Sequence, residues 1–233
     1  MLKNFIFNTF FFTGIFFISI IFLPSLILPQ TIVIVGGRLM GLWASLCLQI
    51  ILSTKIEVLG KENIIKNEKF FIAASHQSMF ETFFLQTIFN APVFILKKEL
   101  LFIPIFGWYL KKIGSISIKR DKISKDNLDF FRNISKIINN TNRPLIIFPQ
   151  ATRVLPMERP PFKKGAARIY AELNIHCQPI AINSGYVWQK KGYSKPNRKI
   201  IISILPKINP GLDKENFLKS LEKQIYLELD RIN

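Results

Sequence analysis

Residues 70–89 read FFIAASHQSMFETFFLQTIF, and they contain a strand, a turn and a helix in one stretch. The first five residues are apolar without alternation, which predicts a strand buried on both faces of a sheet. A short polar turn follows, and residues 79–89 place apolar side chains at helical spacing. A buried strand that leads directly into a helix is a building unit of α/β layer folds.

The same alternation continues through residues 55–233. Strands are predicted at 55–59, 70–74, 93–96, 113–118, 145–148, 179–182 and 200–205, and helices at 79–89, 125–140, 164–173 and 214–231. The pattern predicts an α/β fold with a mixed, largely parallel sheet flanked by helices.

The N-terminal segment has a different character, because residues 4–37 carry no charged side chain. The apolar run 5–28 is long enough to cross a bilayer, and it is too long for the apolar core of a cleaved signal peptide, the competing interpretation. A second apolar run, 31–52, is interrupted only by Arg38. We therefore predict a two-helix membrane anchor at 1–54, either as two spanning helices or as a pair embedded in one leaflet, followed by a domain at 55–233.

Charge and composition narrow the class of protein. The chain has 233 residues, 49% of them hydrophobic, which excludes a disordered chain. Its 32 Lys and Arg against 15 Asp and Glu give a net charge of +17, so the surface should attract phosphates on lipids, metabolites or nucleic acids. The two cysteines, Cys47 and Cys177, exclude a disulfide framework and a four-cysteine zinc site.

A histidine and a carboxylate lie where the strand of the opening stretch passes into its helix. His76 is in the turn, and Glu81 is about one helical turn further on. A carboxylate on one imidazole nitrogen fixes the tautomer and leaves the other nitrogen free to accept a proton. The pair therefore predicts a general base, His76, oriented by Glu81; the alternative is an ordinary histidine beside an acid favoured by the helix dipole.

Three basic residues follow predicted strands. Arg153 follows the strand at 145–148, Lys97 follows 93–96, and Arg120 follows 113–118. Ligands of open α/β sheets gather at the carboxyl ends of the strands, and an arginine there can bind a phosphate through two hydrogen bonds.

Other polar and apolar segments have simpler explanations. His176 is interpreted as an edge residue, and no metal site is predicted. The Asn-Ser-Gly sequence at 183–185 is explained by turn chemistry. Between the strands at 93–96 and 113–118, Leu101 and Phe102 are expected to pack inside, and Trp108 is the candidate for membrane contact.

Four segments in this order resemble the lysophosphatidic acid acyltransferases of the glycerolipid acyltransferase superfamily. The family has a histidine, four residues and an acid, here His76 to Glu81, and a Phe-Pro-Glu-Gly-Thr-Arg motif, which is similar to residues 148–153. The region from Lys97 to Arg120 resembles its second motif, and that around Pro179 its fourth. Here Glu81 replaces the usual Asp, and Gln150 and Ala151 replace Glu and Gly; alanine disfavours the positive φ that glycine permits in such a turn.

The resemblance implies transfer of a fatty acyl group from an acyl thioester to 1-acylglycerol-3-phosphate, forming phosphatidic acid. It implies no cofactor beyond the thioester co-substrate, acyl-CoA or acyl carrier protein. Both arrangements of the anchor put Lys3 and the basic domain on one side of the membrane, and the positive-inside rule predicts that this side is cytoplasmic, in bacteria at the inner membrane. Anionic lipids are expected partners, and nucleic acid is not. The implied site comprises the catalytic pair His76 and Glu81, the phosphate-binding residues Arg153, Thr152, Lys97 and Arg120, and the pocket residues Gln150, Ala151, Phe148, Pro149, Gly114 and Pro179.

Other functions remain open at this stage. A related acyltransferase could act on a lyso-ornithine lipid, on glycerol phosphate or on a lipid A precursor. A non-enzymatic protein that binds anionic membranes or nucleic acid would account for the charge but would leave the His–Glu pair without a role. An inactive acyltransferase would account for Gln150 and Ala151.

Overall fold

The computed structural model describes residues 2–118, 126–190, 192 and 194–233. Its helices are α1 (Leu2–Ile21), α2 (Gln30–Ile51), α3 (Phe80–Ile88), α4 (Phe106–Ile113), α5 (Asp126–Asn140), α6 (Gly165–Leu173) and α7 (Lys214–Ile232). Its strands are β1 (Lys55–Leu59), β2 (Phe70–Ala74), β3 (Val93–Lys97), β4 (Ile116–Ile118), β5 (Leu145–Ile147), β6 (His176–Ile182) and β7 (Lys199–Ile204).

The strands form one sheet in the order β1-β7-β6-β2-β5-β3-β4. The five strands from β6 to β4 are parallel, β7 is antiparallel to β6, and β1 is parallel to β7. The prediction of a mixed, largely parallel sheet is confirmed. This topology places the carboxyl ends of β6, β2 and β5 side by side.

Each face of the sheet is covered by helices. Side chains of α2 and α3 pack on one face against Ile72 and Ile146, and those of α5, α6 and α7 pack on the other against Phe71 and Leu145. Adjacent residues of β2 and β5 thus face opposite layers, which explains why these strands are apolar without alternation.

The two predicted N-terminal helices are present, and they pack on the domain. Helix α2 lies so close to α3 that a Cβ on Gly41 would stand 2.4 Å from the carbonyl oxygen of Phe83. Phe11 of α1 and Leu48 of α2 belong to the same core as Ile72 of the sheet. Side chains of both helices therefore share a core with this face of the sheet, and the domain boundary after residue 54 stays a prediction. Both helices are long and apolar enough to cross a membrane by length and composition.

The region between β3 and β4 differs from the prediction. Residue 113, the predicted start of a strand, ends α4, and Gly114 caps this helix with φ 85° before β4 begins at Ile116. The prediction that Phe102 packs inside is wrong, because its side chain is 73% exposed. Of the predicted strand 113–118, only residues 116–118 form β4, because residue 113 completes the last turn of α4 and Gly114 ends that helix.

Candidate active site

The predicted catalytic turn lies at the carboxyl ends of three adjacent parallel strands. Ser75, the first residue after β2, donates its N–H to the carbonyl of Ile180 at 3.0 Å. Its hydroxyl oxygen accepts from the N–H of Ile182 at 2.8 Å. These bonds fix the turn of residues 75–79 against the end of β6.

Glu81 is fully buried and is held by donors on all sides. Its Oε1 accepts hydrogen bonds from the backbone N–H groups of Gln77 at 2.9 Å and Ser78 at 3.0 Å. The Ser184 hydroxyl donates to the same oxygen at 2.5 Å. These donors come from the turn before α3 and from the residue that follows Asn183 after β6, so the carboxylate is fixed in position at the start of the helix.

The His76 ring faces this carboxylate. Its Nδ1 lies 3.7 Å from Glu81 Oε2, within ion-pair range but longer than a hydrogen bond, and Nδ1 has no hydrogen-bond partner. The Phe148 ring is stacked on the imidazole with a centroid distance of 4.1 Å and an interplanar angle of 19°. The side chain is 16% exposed. The ring is thus held between an aromatic face and a carboxylate while part of it remains open to solvent.

Two hydrogen bonds join the turn after β5 to the backbone N–H and the backbone carbonyl of His76. Gln150 Oε1 accepts the His76 N–H at 2.6 Å, and the Val154 N–H donates to the His76 carbonyl at 2.9 Å. Gln150 is buried, and the amide oxygen of this side chain is the acceptor for the His76 N–H. Ala151 adopts φ 61°, the conformation that its side chain disfavours.

Two basic residues, Arg153 and Lys190, belong to or approach this turn. Arg153 is half-buried and directly precedes Val154, whereas Thr152 is exposed. The Lys190 ammonium lies 3.4 Å from Thr152 Oγ1. Lys97 is exposed at the end of β3, which is separated from β2 by β5. Arg120 lies outside the described residues.

Some predicted pocket residues lie elsewhere in the sheet. Gly114 precedes β4 and is therefore at the amino edge of the parallel strands, opposite to His76. Pro179 is buried in β6 beside Ala73 of β2, below the end of the strand. Pro149 is buried, and its carbonyl accepts the Lys163 N–H at 2.9 Å, which fixes the turn to the segment before α6.

Ser184 and Gln77 were not predicted as site residues. Besides the bond from Ser184 to Glu81, Gln77 Oε1 accepts the Gly185 N–H at 3.1 Å. A Cβ on Gly185 would stand 2.9 Å from the Cβ of Gln77, so glycine is required for this approach. The available signal was the Asn-Ser-Gly sequence directly after a buried strand, which turn chemistry alone also explained.

The loop that carries Lys190 is attached to the first turns of α1. Trp188 is buried against the rings of Phe7 and Phe11, with centroid distances of 5.0 and 4.8 Å. Asn4 Oδ1 accepts from the backbone N–H of Ser194 at 3.1 Å and from its hydroxyl at 2.6 Å. The amino end of α1 thus helps to position a cation beside the turn after β5.

An apolar groove of about 620 Å³ runs between the N-terminal helices and the sheet. It is lined mainly by α2, with Ile18 of α1, Ile56 and Val58 of β1, and Phe84 of α3. Among the residues that the structure describes, no cluster of three or more His, Cys, Asp or Glu could hold a metal ion.

Comparisons with known proteins agree with this architecture. Residues 55–183, more than half of the chain, match the family model described as Acyltransferase. The chain is 30% identical over 158 residues to a 1-acyl-sn-glycerol-3-phosphate acyltransferase of Pseudomonas aeruginosa, covering 68% of this chain and 61% of that protein. It is 28% identical over 181 residues to the Saccharomyces cerevisiae protein of the same name, covering 76% and 59%.

A solved structure has the same fold. The crystal structure of the 1-acyl-sn-glycerophosphate (LPA) acyltransferase PlsC from Thermotoga maritima superposes with a TM-score of 0.78 at 20% identity, covering 100% of this chain and 98% of that one. The chain spans about three fifths of the length of the two relatives above. The matched region includes the turn after β2, the turn after β5 and the end of β6, and the chain therefore belongs to the acyltransferase family.

Proposed function

We propose that the protein transfers a fatty acyl group from an acyl thioester to the free hydroxyl of 1-acylglycerol-3-phosphate. The observation that carries this proposal is the His76–Glu81 pair at 3.7 Å, buried on the carboxylate side and partly open on the imidazole side. The names of the relatives supply the substrate class, and the cations around Thr152 suit an acceptor that carries a phosphate.

In this mechanism His76 acts as the general base. Its free ring nitrogen takes the proton of the acceptor hydroxyl while the oxygen attacks the thioester carbonyl. The tetrahedral intermediate then expels the thiolate, and the imidazolium returns the proton to sulfur. Glu81 stabilises the imidazolium, and general base catalysis of this kind contributes on the order of 10²–10⁴-fold. The thioester is already activated, so the reaction requires no cofactor and no acyl-enzyme intermediate.

Arg153 and Thr152 would bind the acceptor phosphate, and Lys97 and Arg120 are further candidates from the sequence. Arg153 adjoins the residue that is hydrogen-bonded to the His76 carbonyl, so a phosphate bound there would be close to the base. The apolar groove between α2 and β1 has the lining that an acyl chain requires.

The membrane would supply the lysophospholipid, and we propose that α1 and α2 hold the domain at its surface. Both helices expose many large apolar side chains. In α1, only 11% of the most apolar 18-residue stretch is buried. Lys3 and the basic domain would lie on the cytoplasmic side, following the positive-inside rule.

The experiment is acyl transfer from labelled acyl-CoA, and separately from acyl carrier protein, to 1-acylglycerol-3-phosphate. Wild type should form phosphatidic acid, and His76→Ala should lose turnover while keeping lipid binding. His176→Ala is the matched control, because His176 pairs with Glu68 away from the site. Full activity in His76→Ala would refute the base, and product only with other acceptors would refute the proposed substrate.

A further inference from the structure

Exposed apolar side chains are unevenly distributed over the molecule. Among the residues that the structure describes, 23 large hydrophobic side chains are exposed, and 16 of them lie between residues 2 and 50. Three more lie together outside those helices: Phe102, Ile103 and Trp108, exposed by 73%, 44% and 51%. We call these three residues the 102–108 patch. Contiguous exposed apolar surface marks a protein or membrane contact.

The 102–108 patch is continuous with the N-terminal helices. Tyr109, the residue after Trp108, donates its hydroxyl to the Ser19 carbonyl of α1 at 2.6 Å. The side chain of Gln30, the first residue of α2, donates to the Lys112 carbonyl at 2.8 Å. Between those helices, Ile27 is 89% exposed. A membrane that contacts the end of α1 would therefore meet α4 as well.

Charges flank the patch on both sides. Residues 97–112 contain four lysines (97, 98, 111 and 112) and one acid, Glu99, so the segment has a net charge of +3. Lysines beside an apolar insertion can extend their ammonium groups to lipid phosphates. Tryptophan is enriched at the membrane–water interface. Apolar and aromatic side chains between lysines fit an anionic leaflet better than they fit a neutral protein surface.

The backbone holds the patch in a compact turn. Ile105 adopts φ 62° and ψ −59°, a conformation in which a β-branched residue is strained. Gly107 packs on the preceding turn so closely that a Cβ would stand 2.2 Å from the Leu101 carbonyl oxygen. Such strained conformations persist where the surroundings fix them, and they cluster at functional segments. The exposure of Phe102 is thus part of a fixed arrangement.

We propose that the 102–108 patch and its flanking lysines are a second lipid-contact surface, which inserts into the headgroup region of the same anionic leaflet as α1. The inference rests on the proposed function, because it assumes that α1 and α2 contact lipid. Two contacts, one along α1 and one at the patch, would fix the tilt of the sheet and so the height of His76 above the membrane.

Site-specific labelling tests this proposal on the full chain. Cys47 and Cys177 are buried, so Phe16→Cys, Phe102→Cys and Leu227→Cys can each be labelled with an environment-sensitive fluorophore. Each protein is placed in nanodiscs of phosphatidylcholine and phosphatidylglycerol that contain a nitroxide-labelled lipid. A label inserted about 5–10 Å into the headgroup–acyl boundary should lose at least about half of its emission. We expect this loss at 16 and 102, but not at 227 on α7.

The outcomes separate the two proposals. Quenching at 16 without quenching at 102 overturns the second contact and leaves the proposed function intact. Absence of quenching at both positions overturns the membrane location as well. Quenching at 227 equal to that at 102 also refutes a specific patch.

An activity measurement provides an independent test. Phe102→Ser combined with Trp108→Ala should slow acyl transfer to an acceptor in anionic vesicles about tenfold, because each buried aromatic contributes strongly to partition. Transfer to a detergent-dispersed acceptor should be unchanged. Leu227→Ser, a matched exposed position, should change neither rate. Equal loss in vesicles and detergent would contradict a role in membrane contact.

Discussion

Replacing Glu81 by Gln removes the carboxylate that faces the His76 ring and keeps the length of the side chain. In the proposed mechanism the imidazole becomes positively charged in the transition state, 3.7 Å from Glu81 Oε2. At an effective dielectric constant of about 20, a charge pair at this distance is worth about 4 kcal/mol. Because each 1.36 kcal/mol is a factor of ten in rate, Glu81→Gln should lower kcat by about 10³-fold.

The assay is thiol release from acyl-CoA, with the acceptor varied to separate kcat from KM. The KM for acyl-CoA and the KM for the acceptor should change little, since Glu81 is buried behind the histidine and does not face solvent. Glu81→Asp is the matched control, because it retains the charge at a somewhat greater distance. We expect a loss of about tenfold in kcat for the aspartate variant, in line with the distance dependence of the interaction.

Folding must be monitored in parallel. The glutamine amide would place an N–H group opposite N–H and O–H donors that now form hydrogen bonds with the carboxylate. Circular dichroism and thermal unfolding of Glu81→Gln would show whether the chain is folded at the assay temperature. A folded Glu81→Gln enzyme with kcat within tenfold of wild type would refute the electrostatic role of Glu81.

Three further predictions concern the phosphate turn and the stability of the fold. Arg153→Ala should raise the acceptor KM by at least about tenfold, and Lys190→Ala by a smaller factor, because a charged hydrogen bond contributes about 1.5–3 kcal/mol; an unchanged KM in steady-state kinetics would exclude either residue as a phosphate ligand. Ala151→Gly should raise the unfolding free energy by about 1 kcal/mol, because it relieves a positive φ at some cost in chain entropy, and a lower Tm would contradict this. Arg143→Ala should destabilise the fold by about 3 kcal/mol in denaturant unfolding, because the guanidinium donates to the carbonyls of Ala91 and Ile113. The exposed Arg198→Ala is its control, and equal effects of the two substitutions would show that the hydrogen bonds of Arg143 contribute little.

Local patterns in the sequence predicted most of the fold. The run 70–74 is buried on both faces and forms β2 as expected, because a strand covered by helices on both sides needs only apolar residues. Helix α4 escaped prediction because it has only eight residues, and its last residue, Ile113, leads directly into the alternating apolar segment that ends in β4. For segments this short, tertiary packing decides the structure.

The candidate site was predictable only in part. His76 and Glu81 are five residues apart, and a single turn explains their proximity. Ser184 lies more than a hundred residues from Glu81, and only the pairing of β2 with β6 brings its hydroxyl to the carboxylate. Lys190 is positioned by the loop that α1 holds, which no local pattern in the sequence reveals.

The attachment of α1 to the loop around Trp188 affects how deletion experiments can be interpreted. Removing the first helix to obtain a more soluble enzyme would uncover Trp188, which is 1% exposed in the intact chain. It would also remove Asn4, which holds Ser194. A shortened chain without activity would therefore not demonstrate that catalysis needs a membrane, since the same deletion also removes the contacts that hold the loop of Lys190 beside Thr152. Polar substitutions on the exposed face of α1, at Phe12 or Phe16, would reduce the proposed lipid contact while leaving that support in place.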